Sequence, residues 1–125
     1  MLAYEMTLLE TEAIVDACID RYHAAGLSAR AVAWTRFALD QTSDEEASVV
    51  VSDEHRLDWI LAPHADAGGH RPVFRRLATD GWQVHVVVPL ERLGHAHRGL
   101  RGAEVMLQGW WTDDGGVHFG RPEIP

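Results

Sequence analysis

Residues 57–90 constrain this chain more than any other stretch. They run as an apolar segment (57–62), a loop rich in histidine and glycine (63–70), an amphipathic segment (71–81) and a second apolar segment (82–90). In 71–80, Val73, Phe74, Leu77 and Ala78 fall on one side at helical spacing, and Arg71, Arg75 and Arg76 on the other. Gly81 then supplies a stop. The run 84–89 is nearly all valine, the pattern of a strand covered on both faces. A strand, a helix and a second strand in that order make a parallel crossover unit, and the second half of the chain is therefore predicted to be α/β.

The rest of the chain is read around that unit. Thr7 with Glu10 three residues on has the form of a capping box, so a helix is expected over 8–25. Its apolar face is Leu8, Val15, Cys18, Ile19 and Tyr22, with Gly26 as its stop. Residues 30–39 mix alanine with Val, Trp, Thr and Phe; they read as strand because the next two segments need a partner. Strands over 48–52 and 57–62, joined by Asp53-Glu54-His55, complete an antiparallel meander. After 84–89, a helix runs from Glu91 to Leu100, with Leu93, Ala96 and Leu100 inward. A hairpin then joins 105–111 to 117–119 across Asp114-Gly115.

The expected order is α-β-β-β-α-β-α-β-β, an α/β (α+β) class in which helices pack on a mixed β-sheet. At 125 residues this fits a single globular domain, 1–125. The first six elements resemble in order the core of restriction-endonuclease-like nucleases. That resemblance implies an acid near the second strand and an acid-x-lysine on the third. Asp58 and Ile60 stand at the third-strand positions, and the chain has no lysine. The resemblance therefore implies a degenerate domain that binds nucleic acid without cutting it.

Composition narrows the chemistry. The absence of lysine excludes a Walker lysine, a Schiff base and a lysine general base. Cys18 is the only cysteine and lies on the apolar side of the first helix, so it is expected to be a core thiol. No apolar run approaches the ~20 residues of a membrane span. With no signal-peptide pattern and no pair of cysteines, a cytoplasmic protein is expected. The net charge of −8 is uneven. Residues 1–58 carry twelve acids against four arginines, whereas 71–101 carry six arginines against Asp80 and Glu91. Overall acidity disfavours nucleic acid as a partner, although a local arginine face (Arg71, Arg75, Arg76, Arg92, Arg98, Arg101) is present.

Three constellations could carry function. His64, Asp66 and His70 offer two imidazoles and a carboxylate to a divalent metal, with His95 or His97 as a further ligand. The commoner reading is ordinary loop residues and no cofactor. Gly68 and Gly69, followed by Arg71 and Arg75, could cradle an anion at a helix N-terminus; the commoner reading is a turn that glycine makes easy. Trp110 and Trp111 are neighbours in a strand, so one must face outward and could anchor an interface. These readings favour a small protein-interaction or regulatory domain without catalytic activity, dimeric with itself or bound to another protein. The alternatives are a ligand- or metal-binding enzyme using 63–76 and the nuclease-like domain.

Overall fold

The computed structural model describes residues 2–33, 48–62 and 65–125, with side chains in the first helix from residue 11 onward. Among the described residues, three α-helices and six strands form a mixed α+β fold in the expected order. The elements are α1 (Leu2–Ala24), β1 (Ala29–Ala33), β2 (Ser48–Ser52), β3 (Arg56–Ile60), α2 (Arg71–Thr79), β4 (Gln83–Pro89), α3 (Leu93–Gly99), β5 (Met106–Asp113) and β6 (Gly116–Phe119). Single 3₁₀ turns precede α2 (Ala67–His70) and α3 (Leu90–Arg92).

The strands lie side by side in chain order. β1, β2 and β3 form the antiparallel meander, with Val50 facing Asp58. β3, β4 and β5 are parallel, with Asp58 level with His85 and Val87 level with Gln108. β5 and β6 close as a hairpin. Beyond it the tail bends back, and Glu123 exchanges two backbone hydrogen bonds with Leu107, both 2.7 Å.

Both crossovers step the same way along the sheet, so right-handed connection places α2 and α3 on one face. Phe74, Leu77, Ala96 and Leu100 share one buried cluster there with Val49, Leu57, Trp59, Val84, Val86 and Leu107. α1 covers the other face, where Ile14, Cys18 and Tyr22 meet Val50, Ile60, Val87 and Trp110. Every residue from Val84 to Pro89 is buried, as the valine run predicts.

Two expectations change. α1 begins at Leu2, so Thr7 lies inside the helix and not at its cap. The preceding Leu-Ala-Tyr-Glu-Met are mostly good helix formers and extend it by a turn and a half. Of the strand expected over 30–39, the part to Ala33 is seen, within β1 (Ala29–Ala33); 34–39 lie outside the described residues.

The junction of α2 and α3 is close-packed. The backbone of Gly99 meets that of Gly68, and a Cβ on Gly99 would lie 2.9 Å from the Gly68 nitrogen. Arg71 braces the junction by donating to the carbonyls of Gly99 (3.2 Å) and Arg101 (3.1 Å), which the end of α3 leaves unpaired. Gly99→Ala is expected to lower unfolding free energy by about 1–3 kcal/mol despite alanine's better helix propensity, because backbone must move to admit the methyl group. Urea denaturation measures this, and an unchanged or raised midpoint would contradict the packing described.

Candidate functional site

Three central strands each place one polar side chain on the α1 face of an otherwise apolar core: Asp58 on β3, His85 on β4 and Gln108 on β5. Asp58 has no exposed surface, and His85 and Gln108 have 8% and 4%. Burial of this kind costs several kcal/mol per charge unless partners are supplied. α1 supplies them. Tyr22 donates its hydroxyl to Asp58 Oδ1 at 3.0 Å. Arg21 Nη2 lies 3.5 Å from Asp58 Oδ2, and Arg21 Nη1 donates to Gln108 Oε1 at 2.9 Å. Gln108 Nε2 donates in turn to the Gly120 carbonyl at 2.7 Å, which ties the tail to the same network. The Arg21 guanidinium also stands 3.6 Å above the Phe119 ring.

The electrostatics follow from enclosure. Burial raises the Asp58 carboxyl above the ordinary carboxylate range, against the opposing pull of Arg21, the Tyr22 hydroxyl and Arg56. Burial first, and then the Asp58 charge, push the Cys18 thiol up to about 12 and raise the Tyr22 phenol. Burial, with Arg56 and Arg21 nearby, pushes His85 down to about 4. At neutral pH Cys18 is therefore a thiol and His85 an uncharged imidazole. A buried thiol is a poor nucleophile. What this arrangement does well is fix the register of α1 on the sheet, because a one-turn slip would leave Asp58 unpaired.

The loop at the carboxyl end of β3 is built differently. Asp66 caps the 3₁₀ turn, with Oδ1 accepting from the Gly68 nitrogen at 3.1 Å. His95 Nε2 lies 3.9 Å from the same oxygen, whereas His97 turns away to Glu123, 3.4 Å off. His70 donates from Nδ1 to the Asp66 carbonyl at 3.0 Å, and its ring stacks on Phe74 with centroids 5.7 Å apart. His64 lies outside the described residues. Among the described residues, no group of three His, Cys, Asp or Glu stands where one ion could be held. Of the anion-binding set, the Gly68 amide is bonded to Asp66 and the Arg71 guanidinium reaches the end of α3, while Arg75 is exposed. The cavity between this loop and α3 is only about 10 Å³, room for about one water.

The two neighbouring tryptophans divide as strand geometry requires. Trp110 is buried against α1, and Trp111 is 38% exposed, with its ring stacked on His118 at 5.7 Å. His118 Nε2 lies 2.7 Å from Asp113 Oδ1, and that hydrogen bond, with the Gly115 amide, holds the Asp113 carboxyl below its usual range.

No protein-family model, curated protein or solved structure matches this chain. No described helix is long and apolar enough to cross a membrane. Asp58, the residue that the nuclease resemblance would make a catalytic acid, is enclosed by α1. Sequence reading missed the cluster around it. The signal was there: each central strand breaks an apolar alternation with one polar residue, and all three breaks fall on the same face.

His85 gives the cluster a pH signature. The unfolded imidazole titrates near 6.5 and the folded one near 4, so between these values the unfolded state binds more protons. Stability therefore falls as pH drops through that window. Asp58, being raised, acts in the opposite sense in both proteins compared. From pH 7 to pH 5, wild type is expected to lose about 1–2 kcal/mol more than His85→Gln in denaturant unfolding. An equal loss in the two proteins would remove His85 as the buried neutral group.

Proposed function

We propose that this chain is a protein-interaction or regulatory domain that acts without catalysis, resides in the cytoplasm and associates with a second copy of itself through the β5–β6 edge. The observation that carries the reading is Trp111, a large aromatic left 38% exposed on an edge hairpin. Surface tryptophans of this kind are the usual anchors of interfaces. The groups best suited to chemistry are engaged within the protein. Asp58 is held by Tyr22 and Arg21, the Gly68 amide by Asp66, and Arg71 by the end of α3.

Charge indicates which surface two copies would share. The solvent side of α1 shows Glu12, Asp16 and Asp20, exposed at four-residue intervals. The opposite face of the sheet carries exposed Arg75 and Arg76 on α2, with Arg98 on α3 and Arg101 just beyond it. A two-fold contact brings a patch against itself. Through the α1 face it would set acids against acids, and through the α2–α3 face arginines against arginines. The hairpin edge, with Trp111, His118 and Asp113, avoids both conflicts and has aromatic surface to bury.

Size-exclusion chromatography with light scattering at micromolar concentration is the direct test. Wild type is expected at twice the chain mass, with Trp111→Ala shifted to monomer and its thermal midpoint, read at a concentration where wild type is monomeric, changed little. A truncated hot-spot tryptophan typically costs 2 kcal/mol or more, roughly a thirtyfold weaker dimer. A wild-type protein monomeric at all concentrations tested would overturn the self-association reading.

A further inference from the structure

A groove of about 430 Å³ opens at the start of β4 and β5, within the size range of small-molecule sites. It exists because the two strands do not start level. β4 begins at Gln83, but β5 joins it only where Met106 pairs with His85, and the chain before Met106 turns through Gly102 at φ +78°. Ala78 at the end of α2, the segment 103–106 and Ile124 of the tail wall the space that is left. Val84 and His85 both border it. Successive strand residues point to opposite faces, so the groove wraps the end of the sheet and reaches the α1 face from outside.

Three features of the lining point to a ligand. The first is His85, 8% exposed, whose Nδ1 is enclosed and has no hydrogen-bond partner among the described residues. Buried polar groups are nearly always paired, and an unpaired one at a cavity marks where a partner fits. The second is Ile124, 79% exposed, the most exposed large apolar side chain among the described residues. It is held in place: Glu123 before it exchanges two 2.7 Å backbone hydrogen bonds with Leu107, and Glu123 Oε1 lies 3.4 Å from His97 Nε2. The third is Glu104 on the exposed rim, with neither an ion-pair nor a hydrogen-bond partner among the described residues.

We infer that this groove binds a small amine with an apolar body and a hydroxyl at its far end, tyramine being the simplest case, with the ammonium on Glu104, the body against Ile124, Val105 and Met106, and the hydroxyl on the His85 imidazole. Burial, with Arg56 and Arg21 nearby, keeps that imidazole uncharged at neutral pH, so it offers one donor and one acceptor. A hydroxyl satisfies either, and a half-turn of the ring exchanges Nδ1 with Cδ2, which lets a nitrogen meet it at the groove. A free carboxylate on the rim selects an ammonium and repels an anion. The inference does not rest on self-association: the groove lies at the start of β5, and Trp111 near its end.

The test is a ¹⁵N-detected NMR titration of the whole chain with tyramine, with phenethylamine, which lacks the hydroxyl, and with para-hydroxyphenylacetate, which replaces the ammonium by a carboxylate. Tyramine is expected to give saturable shifts concentrated in 83–85, 103–106 and 123–125. Phenethylamine should bind about tenfold more weakly, the worth of one hydrogen bond in an enclosed site, and para-hydroxyphenylacetate more weakly than tyramine. Glu104→Gln, at an exposed position, should weaken tyramine about threefold, as fits an ion pair on a rim, and remove most of its advantage over para-hydroxyphenylacetate. His85→Leu should bring tyramine down to the level of phenethylamine, with an unchanged spectrum outside the groove confirming the fold. If that variant does not fold, the comparison of tyramine with phenethylamine on the wild-type chain reads the same contact. No saturable shift with tyramine up to about 10 mM, or binding of either analogue as tight as that of tyramine, would overturn the assignment.

Discussion

One carboxylate sets the terms for half of this structure. Asp58 sits in the middle of a six-stranded sheet with no exposed surface, and only a helix bearing Tyr22 and Arg21 at the correct height can satisfy it. An apolar helix face can slide on an apolar sheet at modest cost. A helix that must deliver a hydroxyl to Oδ1 and a guanidinium to Oδ2 cannot. The same arginine reaches Gln108, which reaches the Gly120 carbonyl, so the position of α1 and the return of the tail are set by one connected network. Networks of this kind stabilise when every member is paired and are expensive when one is not.

The two faces of the sheet are therefore held by different physics. On the α2–α3 face, cohesion is apolar packing from Phe74, Leu77, Leu100 and Trp59, finished by glycine-to-glycine backbone contact. On the α1 face, a smaller apolar cluster surrounds a polar centre. Acidification strips the two faces unequally: among the described residues the buried groups it can titrate, Asp58 and His85, lie on the α1 face, and His85 draws protons in the unfolded state well before it does in the folded one. Loss of α1 docking before loss of the α2–α3 core is the order this difference favours.

Much of the fold was legible because period and punctuation agreed. The valine run of β4, the two-faced pattern of α2 and the Asp114-Gly115 turn each named their element, and the alternation of the tryptophan pair correctly put one ring inside and one outside. The start of α1 was misplaced because a good capping signal at Thr7 competes with good helix formers before it. The polar cluster was harder to see for a different reason. Asp58, His85 and Gln108 are separated by more than twenty residues each, and only strand register reveals that they share a face. The loop of Gly68 and Gly69 attracted functional readings because glycines, histidines and arginines before a helix are what ligand sites use. They are also what tight internal packing uses, and here Asp66 and Gly99 occupy the nearest space around Gly68.

The placement of charge makes the same distinction at the scale of the whole molecule. Glu12, Asp16 and Asp20 are exposed on α1 and Arg75, Arg76 and Arg98 on α2 and α3, and the topology puts these helices on opposite sides of one sheet. Fields of opposite sign on two faces orient an approaching partner before any contact forms. Two copies of such a molecule meet with least repulsion where neither field dominates, which is along the sheet edges. One edge ends in β6, four residues long with the tail folded back beside it, and carries Trp111. A short edge resists runaway strand pairing, and in the proposed dimer Trp111 beside it is the contact that closes on itself.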